Sequence, residues 1–476
     1  MSQASLDPTF MTVHALSAAI ANGSLTSVAI VDCCLQRIAD YDGKLHAFVD
    51  VYDDEAREAA QAADLAICSG HRLGPLHGIP IALKDIIDME GRVTTGGSKA
   101  WADRVSRTTA TVAQRLISAG MIVIGKTHSV EFAMGGWGTN THMGTPWNPW
   151  DLDTPRTPGG SSSGSGVAVA AGMVPAAIGT DTGGSVRLPA SYCGLAGLKT
   201  TVGRVSLHGI LPLSTTLDTP GPMTRSVEDA ALIYDAIQGP DPLWPQTQNV
   251  ALKYNAPNPF VNMRRGVNSL RLAAISGAER EGVDDATLAA FDAAQETLRA
   301  LGASITKFEM PRPFSDFAAI AGRIIGAEGY RFVGHLTDDL DLPIDPNVRP
   351  RIALGRDIRA HEYLDALAEK EAVKAEFAER FLDFDALLLP STETPAIPLD
   401  QVDEGGTPAR FTRAGNCLDL CALSVPNGIS PDGLPTSLQI ACRGYDEAMA
   451  LRIGWAYEQA TDWHNKHPEL ANAPSL

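Results

Sequence analysis

Residues 158–189 read PGGSSSGSGVAVAAGMVPAAIGTDTGGSVRLP, and this stretch restricts what the chain can fold into more than any other. Two glycine-flanked serine loops, residues 159–166 and 180–185, stand on either side of a short apolar segment. Paired glycines let the backbone take positive φ and crowd close to a ligand, so Asp181-Thr182-Gly183-Gly184-Ser185 can aim several N–H groups at one point. Such a nest suits a developing oxyanion. A serine at its edge can then act as a nucleophile.

No His, Asp or Cys sits beside either loop in a way that suggests a familiar triad, so the base has to come from elsewhere. Lys84 is the candidate. It follows Gly78-Ile79-Pro80-Ile81-Ala82-Leu83, a nearly unbroken apolar run that reads as a buried strand. Burial disfavours the ammonium and can lower a lysine pKa by roughly 3–5 units, which leaves a neutral amine able to accept a proton. The plainer alternative is a surface lysine at a strand end.

Four blocks in order carry a resemblance: GIPIALKDIID (78–88), GKTHSVEFAMG (125–135), PGGSSSGSGVAVAAG (158–172) and GTDTGGSVRLPASYCGLAGLKTTVGRVS (179–206). Weaker echoes are DTPGPMTRSVED (218–229), DALLLPST (385–392) and GLP (433–435). On these residues the chain resembles the amidase signature family from about Thr12 to Thr461. The resemblance implies an α/β fold with a single large mixed β-sheet covered by helices on both faces. It implies a Ser-cisSer-Lys triad in which Ser185 is acylated, Ser161 bridges after a cis Gly160–Ser161 peptide, and Lys84 is the ultimate base. It also implies an oxyanion hole from the N–H groups of Thr182, Gly183, Gly184 and Ser185. Two positions depart from the family pattern, Ser163 where glycine is usual and Thr200 where proline is usual, and neither belongs to the triad.

The four blocks interleave across all 476 residues, so one domain over residues 1–476 is expected rather than a string of modules. Residues 1–75 read as helices packed on the body. One is capped by Thr26 or Ser27, and another, capped by Asp53 or Asp54, runs to about Cys68. A helix over 109–119 and a strand over 121–124 follow, an alternation that is α/β grammar. The loop over 131–153 is long enough to suggest a function. Residues 246–266, rich in Asn and Pro, read as an exposed excursion. Further on come a strand at 270–275, an amphipathic helix at 284–301, and a mainly helical region at 311–384 expected to cap the mouth of the site. A strand at 385–389 and a terminal helix at 448–461 complete the reading.

A formal charge of −18 argues against nucleic acid and anionic membranes as partners, because phosphate binding needs clustered Lys and Arg. Seven scattered cysteines with no CxxC pair read as reduced thiols. The start lacks a basic and apolar leader, and the longest mostly apolar stretch, 167–179, is too short to span a bilayer. A cytoplasmic protein is expected, with a homodimer as the commonest assembly.

Two short patterns point elsewhere. Residues 120–127 spell GxxxxGKT, yet their middle is an apolar strand rather than a phosphate-cradling loop, which makes Lys126 a strand-end residue. Residues 160–164 spell GxSxG around Ser162, but a proline-broken loop precedes them where that motif needs a strand. No His cluster suggests a metal, and no cofactor is expected. Arg187 and Asp181 flank the nucleophile and read as an ion-pair brace, with a substrate-carboxylate contact at Arg187 as the other reading. Met134, Gly135 and Trp137 are expected to contact substrate.

The resemblance therefore implies hydrolysis of an amide C–N bond in a small molecule, which the serine, the nest and the buried lysine are suited to perform. The apolar residues near Trp137 lean towards a hydrophobic or aryl amide, an anilide or a carbamate. The resemblance leaves a second reading open, the glutaminase component of a tRNA-dependent amidotransferase. A third, a pseudo-enzyme scaffold, is disfavoured because Lys84, Ser161 and Ser185 are all present.

Overall fold

In the computed structural model, which describes residues 7–254 and 258–470, eleven strands among the described residues form one sheet. They are β1 (Phe48–Val51), β2 (Pro80–Lys84), β3 (Ile122–Thr127), β4 (Ala176–Asp181), β5 (Ala196–Lys199), β6 (Thr219–Thr224), β7 (Arg271–Ile275), β8 (Ser304–Phe308), β9 (Ala386–Pro390), β10 (Cys421–Ile429) and β11 (Pro435–Cys442). Their order is β1-β3-β2-β4-β6-β5-β10-β11-β9-β7-β8. β2 runs parallel to β3 and β4, and β7 runs parallel to β8 and β9. These two parallel blocks are joined through antiparallel β6, β5, β10 and β11. The fold is thus α/β around one large mixed sheet.

Every residue of β2 and β4 is buried, so the apolar residues 80–83 and 176–178 lead into the buried polar ends Lys84 and Thr180-Asp181. β3 extends past the apolar run to Lys126 and Thr127, both fully buried. The helices Ser27–Leu45 and Asp53–Cys68 form as expected, and Thr26 caps the first by accepting from Ala29 N at 3.1 Å. The second begins after Tyr52 without a side-chain cap. Between them lies β1, an edge strand antiparallel to β3 that a purely helical reading of residues 1–75 misses. Four residues with only one neighbouring strand carry little periodic signal.

Residues 311–384 are mainly helical, with helices Phe314–Asp338, Arg349–Ala353 and Ala360–Arg380. The excursion at 246–266 holds the short helices Pro245–Lys253 and Phe260–Met263. No helix among the described residues is long and apolar enough to cross a membrane.

Candidate active site

Lys84 is the last residue of β2, which lies between parallel β3 and β4, and it is fully buried. Its Nζ donates to Ser161 Oγ at 2.7 Å and to Thr180 Oγ1 at 2.9 Å. Burial pushes the amine down to about 7, against the opposing pull of the Asp218 and Asp181 carboxylates. Near neutral pH much of it is therefore uncharged and able to accept a proton.

Ser161 follows a cis Gly160–Ser161 peptide and is fully buried. Ser162 stands at the start of the helix Ser163–Ala170 with its Oγ donating to Thr180 O at 3.3 Å, which gives it a structural partner rather than an exposed position. Ser185 lies past the end of β4 and, with Thr182 and Gly183, lines a cavity of about 670 Å³.

The loop that carries Ser185 is tied down by Asp181 at the end of β4. One carboxylate oxygen of Asp181 accepts from Gly184 N at 2.8 Å, and the pair is held by Arg187 Nη2 at 2.9 Å and Nε at 3.0 Å. Burial alone would raise the Asp181 carboxyl, but Arg187 beside it holds it down at about 2. Arg187 is fully buried and also donates to Thr412 O, Gln439 and Asn416, so it is a brace. Gly184 has φ 138°, and a Cβ there would sit 2.4 Å from Thr412 Oγ1, so no other residue fits. Thr182 Oγ1 donates to Asp218, which also accepts from Leu213 N and Ser214 N at 2.9 Å each; burial raises that carboxyl to about 6.

Of the residues expected from sequence, Lys84 and Ser161 are in direct contact, and Ser185, Thr182 and Gly183 share the cavity wall with Met134 and Gly135. The N–H of Gly184 is spent on Asp181, whereas those of Gly183 and Ser185 take no protein acceptor among the described hydrogen bonds. Trp137 does not line the cavity: its indole N–H donates to Asp403 O at 3.1 Å, next to the lining segment Gly405-Gly406-Thr407. Lys126 is strand-buried, donating to Ile87 O and Thr94 Oγ1. Among the described residues no group of three or more His, Cys, Asp or Glu is placed to hold a metal ion.

The cavity also contains residues that sequence reasoning did not single out: Arg323, Arg351, Arg413 and the segment Gly405-Gly406-Thr407. A glycine pair in a polar loop was the only signal available for the last of these. Arg323 and Arg351 fall inside the region 311–384 expected to cap the mouth, but no pattern marked any of the three arginines individually.

Residues 29–451 match the family model described as Amidase. The chain is 37% identical over 490 residues to one of the subunits of the glutamyl-tRNA(Gln) amidotransferase of Chloroflexus aggregans, covering 98% of this chain and 99% of that protein. Its fold is similar to the peptide amidase of Stenotrophomonas maltophilia, with TM-score 0.85, 28% identity and 95% and 97% of the two chains covered. It is also similar to the corresponding glutamyl-tRNA(Gln) amidotransferase component of Thermotoga maritima, with TM-score 0.79, 30% identity and 95% of each chain covered. These relatives correct the expectation of a small-molecule amide as the partner, with no nucleic acid and at most a second copy of the chain. Two of them are named as one component of an enzyme acting on a tRNA. A charge of −18 is a sum over the whole surface, and it does not limit what one face meets or what another component brings. Family match, full-length similarity and shared fold agree that this chain is an amide-hydrolysing enzyme and belongs to the amidase family, the amidase signature enzymes.

Proposed function

We propose that the chain releases ammonia from the carboxamide of glutamine as the amide-cleaving component of a tRNA-dependent amidotransferase. The observation that carries the chemistry is the 2.7 Å contact between the fully buried Lys84 amine and Ser161 Oγ. The choice of substrate is supported by similarity to glutamyl-tRNA(Gln) amidotransferase components over nearly the whole chain.

In this reading the neutral Lys84 amine takes the Ser161 proton while Ser161 takes the Ser185 proton, and Ser185 Oγ bonds to the amide carbon. The N–H groups of Gly183 and Ser185, with those of the flanking loop, hold the oxyanion; losing one such donor typically costs about 10²–10³ in rate. Ser161 Oγ gives its proton to the leaving nitrogen and takes one back from the Lys84 ammonium, the C–N bond breaks, and ammonia departs. Water then attacks the acyl group, giving its proton to the same relay, and Ser185 is restored. The chain acts as one domain whose segment 311–384 caps the opening, since Ala319, Arg323 and Arg351 from it line the cavity. A cytoplasmic setting is supported by the scatter of the seven cysteines, which form no CxxC pair.

A second reading, an amidase that works alone on a hydrophobic or aryl amide, an anilide or a carbamate, is favoured by the higher TM-score to the peptide amidase and by Leu213, Leu354 and Ile358 in the cavity wall. Purified chain, alone and with the other components of its assembly, assayed on glutamine and on a panel of simple amides and anilides, separates the two. Glutamine turnover that rises at least tenfold on assembly is the expected result. Fast anilide turnover by the isolated chain with none on glutamine in either state overturns it.

A further inference from the structure

Three guanidinium groups reach the cavity beside Ser185, and none of the described residues lining it is acidic. Two of the three are already neutralised behind the wall: Arg323 donates to Glu369 Oε2 at 2.5 Å, and Arg351 to Glu404 Oε2 at 2.8 Å. Arg413 differs. Its side chain makes no hydrogen bond, ion pair or ring contact among the described residues, and the charge that acts on it is the like charge of Arg351. Burial and that repulsion both push its pKa down, so the group is held as a cation in surroundings that oppose it.

Its position is fixed rather than incidental. The helix Arg410–Cys417 is fastened to the nucleophile loop on both sides of Arg413: Thr412 Oγ1 donates to Gly183 O at 2.7 Å, and Asn416 Nδ2 to Asp181 Oδ1 at 2.9 Å. The Arg413 side chain crosses the face of Gly183, where a Cβ built on that glycine would lie 3.4 Å from its Cγ and 3.7 Å from its Nε. A planar fork of donors thus stands over the oxyanion loop, in a wall that also includes the apolar Met134, Leu213, Leu354 and Ile358. A guanidinium so placed matches a carboxylate with two parallel hydrogen bonds.

We infer that Arg413 is a specificity-determining residue that binds a carboxylate on the substrate, so that the site selects amides of dicarboxylic acids, with the free acid group on Arg413 and the amide carbon at Ser185. The inference rests on the reading that Ser185 opens an amide in this cavity, and it extends that reading: where ammonia is the leaving group, the carboxylate has to belong to the acyl part. A stand-alone amidase built this way would share the preference, so the inference does not depend on the assembly.

The test compares two amides of equal length, glutaramate, which carries the carboxylate, and valeramide, which has a methyl group in its place. The full-length protein is used in its assembled state, as wild type, Arg413→Gln and Arg413→Lys. Loss of a charge-assisted pair in a site shielded from water predicts that the ratio of kcat/KM for glutaramate over valeramide falls about 10²-fold in Arg413→Gln, mainly through KM. Arg413→Lys recovers part of it. Glutarate should inhibit valeramide hydrolysis by wild type at least tenfold more tightly than by Arg413→Gln. A variant that lowers both amides alike and leaves the ratio unmoved overturns the role of Arg413 while sparing amide hydrolysis. Wild type that cleaves neither amide overturns the underlying reading and this inference with it. Should Arg413→Gln fail to fold, the ratio and the glutarate inhibition measured on Arg413→Lys decide the matter, and wild-type values in that variant overturn the proposal.

Discussion

A lysine amine in water keeps its proton to about pH 10.4, and Lys84 is fully buried against Ser161 and Thr180, where that charge is poorly solvated. Its burial, against the pull of Asp218 and Asp181, brings it to about 7. Below that value the amine is protonated and cannot accept from Ser161; above it the amine is free. The value of kcat/KM for an uncharged amide should therefore rise about tenfold per pH unit up to about pH 7 and then level off, in a stopped assay from about pH 5 to about pH 9. A profile flat across that window would mean that Lys84 is not the base. Lys84 was legible because a charged residue ending an unbroken apolar run is chemically out of place. Arg413 was not, because an arginine on a short polar helix looks like any solvated one until the fold shows which carboxylates its neighbours have taken.

The elements around the nucleophile are joined through one guanidinium. Arg187 links the end of β4, through Asp181, to the helix Arg410–Cys417 through Thr412 and Asn416, and to β11 through Gln439. Arg187→Met keeps the apolar stem of the side chain but removes the guanidinium, leaving Asp181 charged, buried and half-satisfied. Breaking a buried pair from one side typically costs about 3–5 kcal/mol, so the denaturant midpoint should fall with an unchanged slope. A loss under about 1 kcal/mol would show that Asp181 is held well enough by Gly184 and Asn416 alone. At this scale the sequence was uneven. The apolar runs of β2, β3, β7 and β9 announced themselves. β6 holds two prolines and a glycine, and β10 includes Pro426, Asn427 and Gly428, residues that ordinarily interrupt strands. Both lie in the antiparallel middle of the sheet, where β10 accommodates its irregularity with a register shift between Pro426 and Gly428.

For the molecule as a whole, the sheet sets two parallel blocks on either side of an antiparallel centre, and the proposed chemistry gathers at one of them. β2 brings the amine, β4 brings the nucleophile loop, and the helix Arg410–Cys417 is fastened to that loop. The sequence showed the first two because they fall inside compact glycine- and serine-rich blocks. It could not show the third, since contact between residues 183 and 412 is a product of topology. Net charge misled at this same scale, being a property of the whole surface used to judge one face of it. The most direct measurement is the mass of the intact chain, quenched during turnover of an amide substrate. A population heavier by the substrate's acyl group, mapped to the peptide that holds Ser185 and absent from a Ser185→Ala variant of unchanged melting temperature and no turnover, is the predicted result. An adduct on any other residue, or hydrolysis by Ser185→Ala at the wild-type rate, would contradict it.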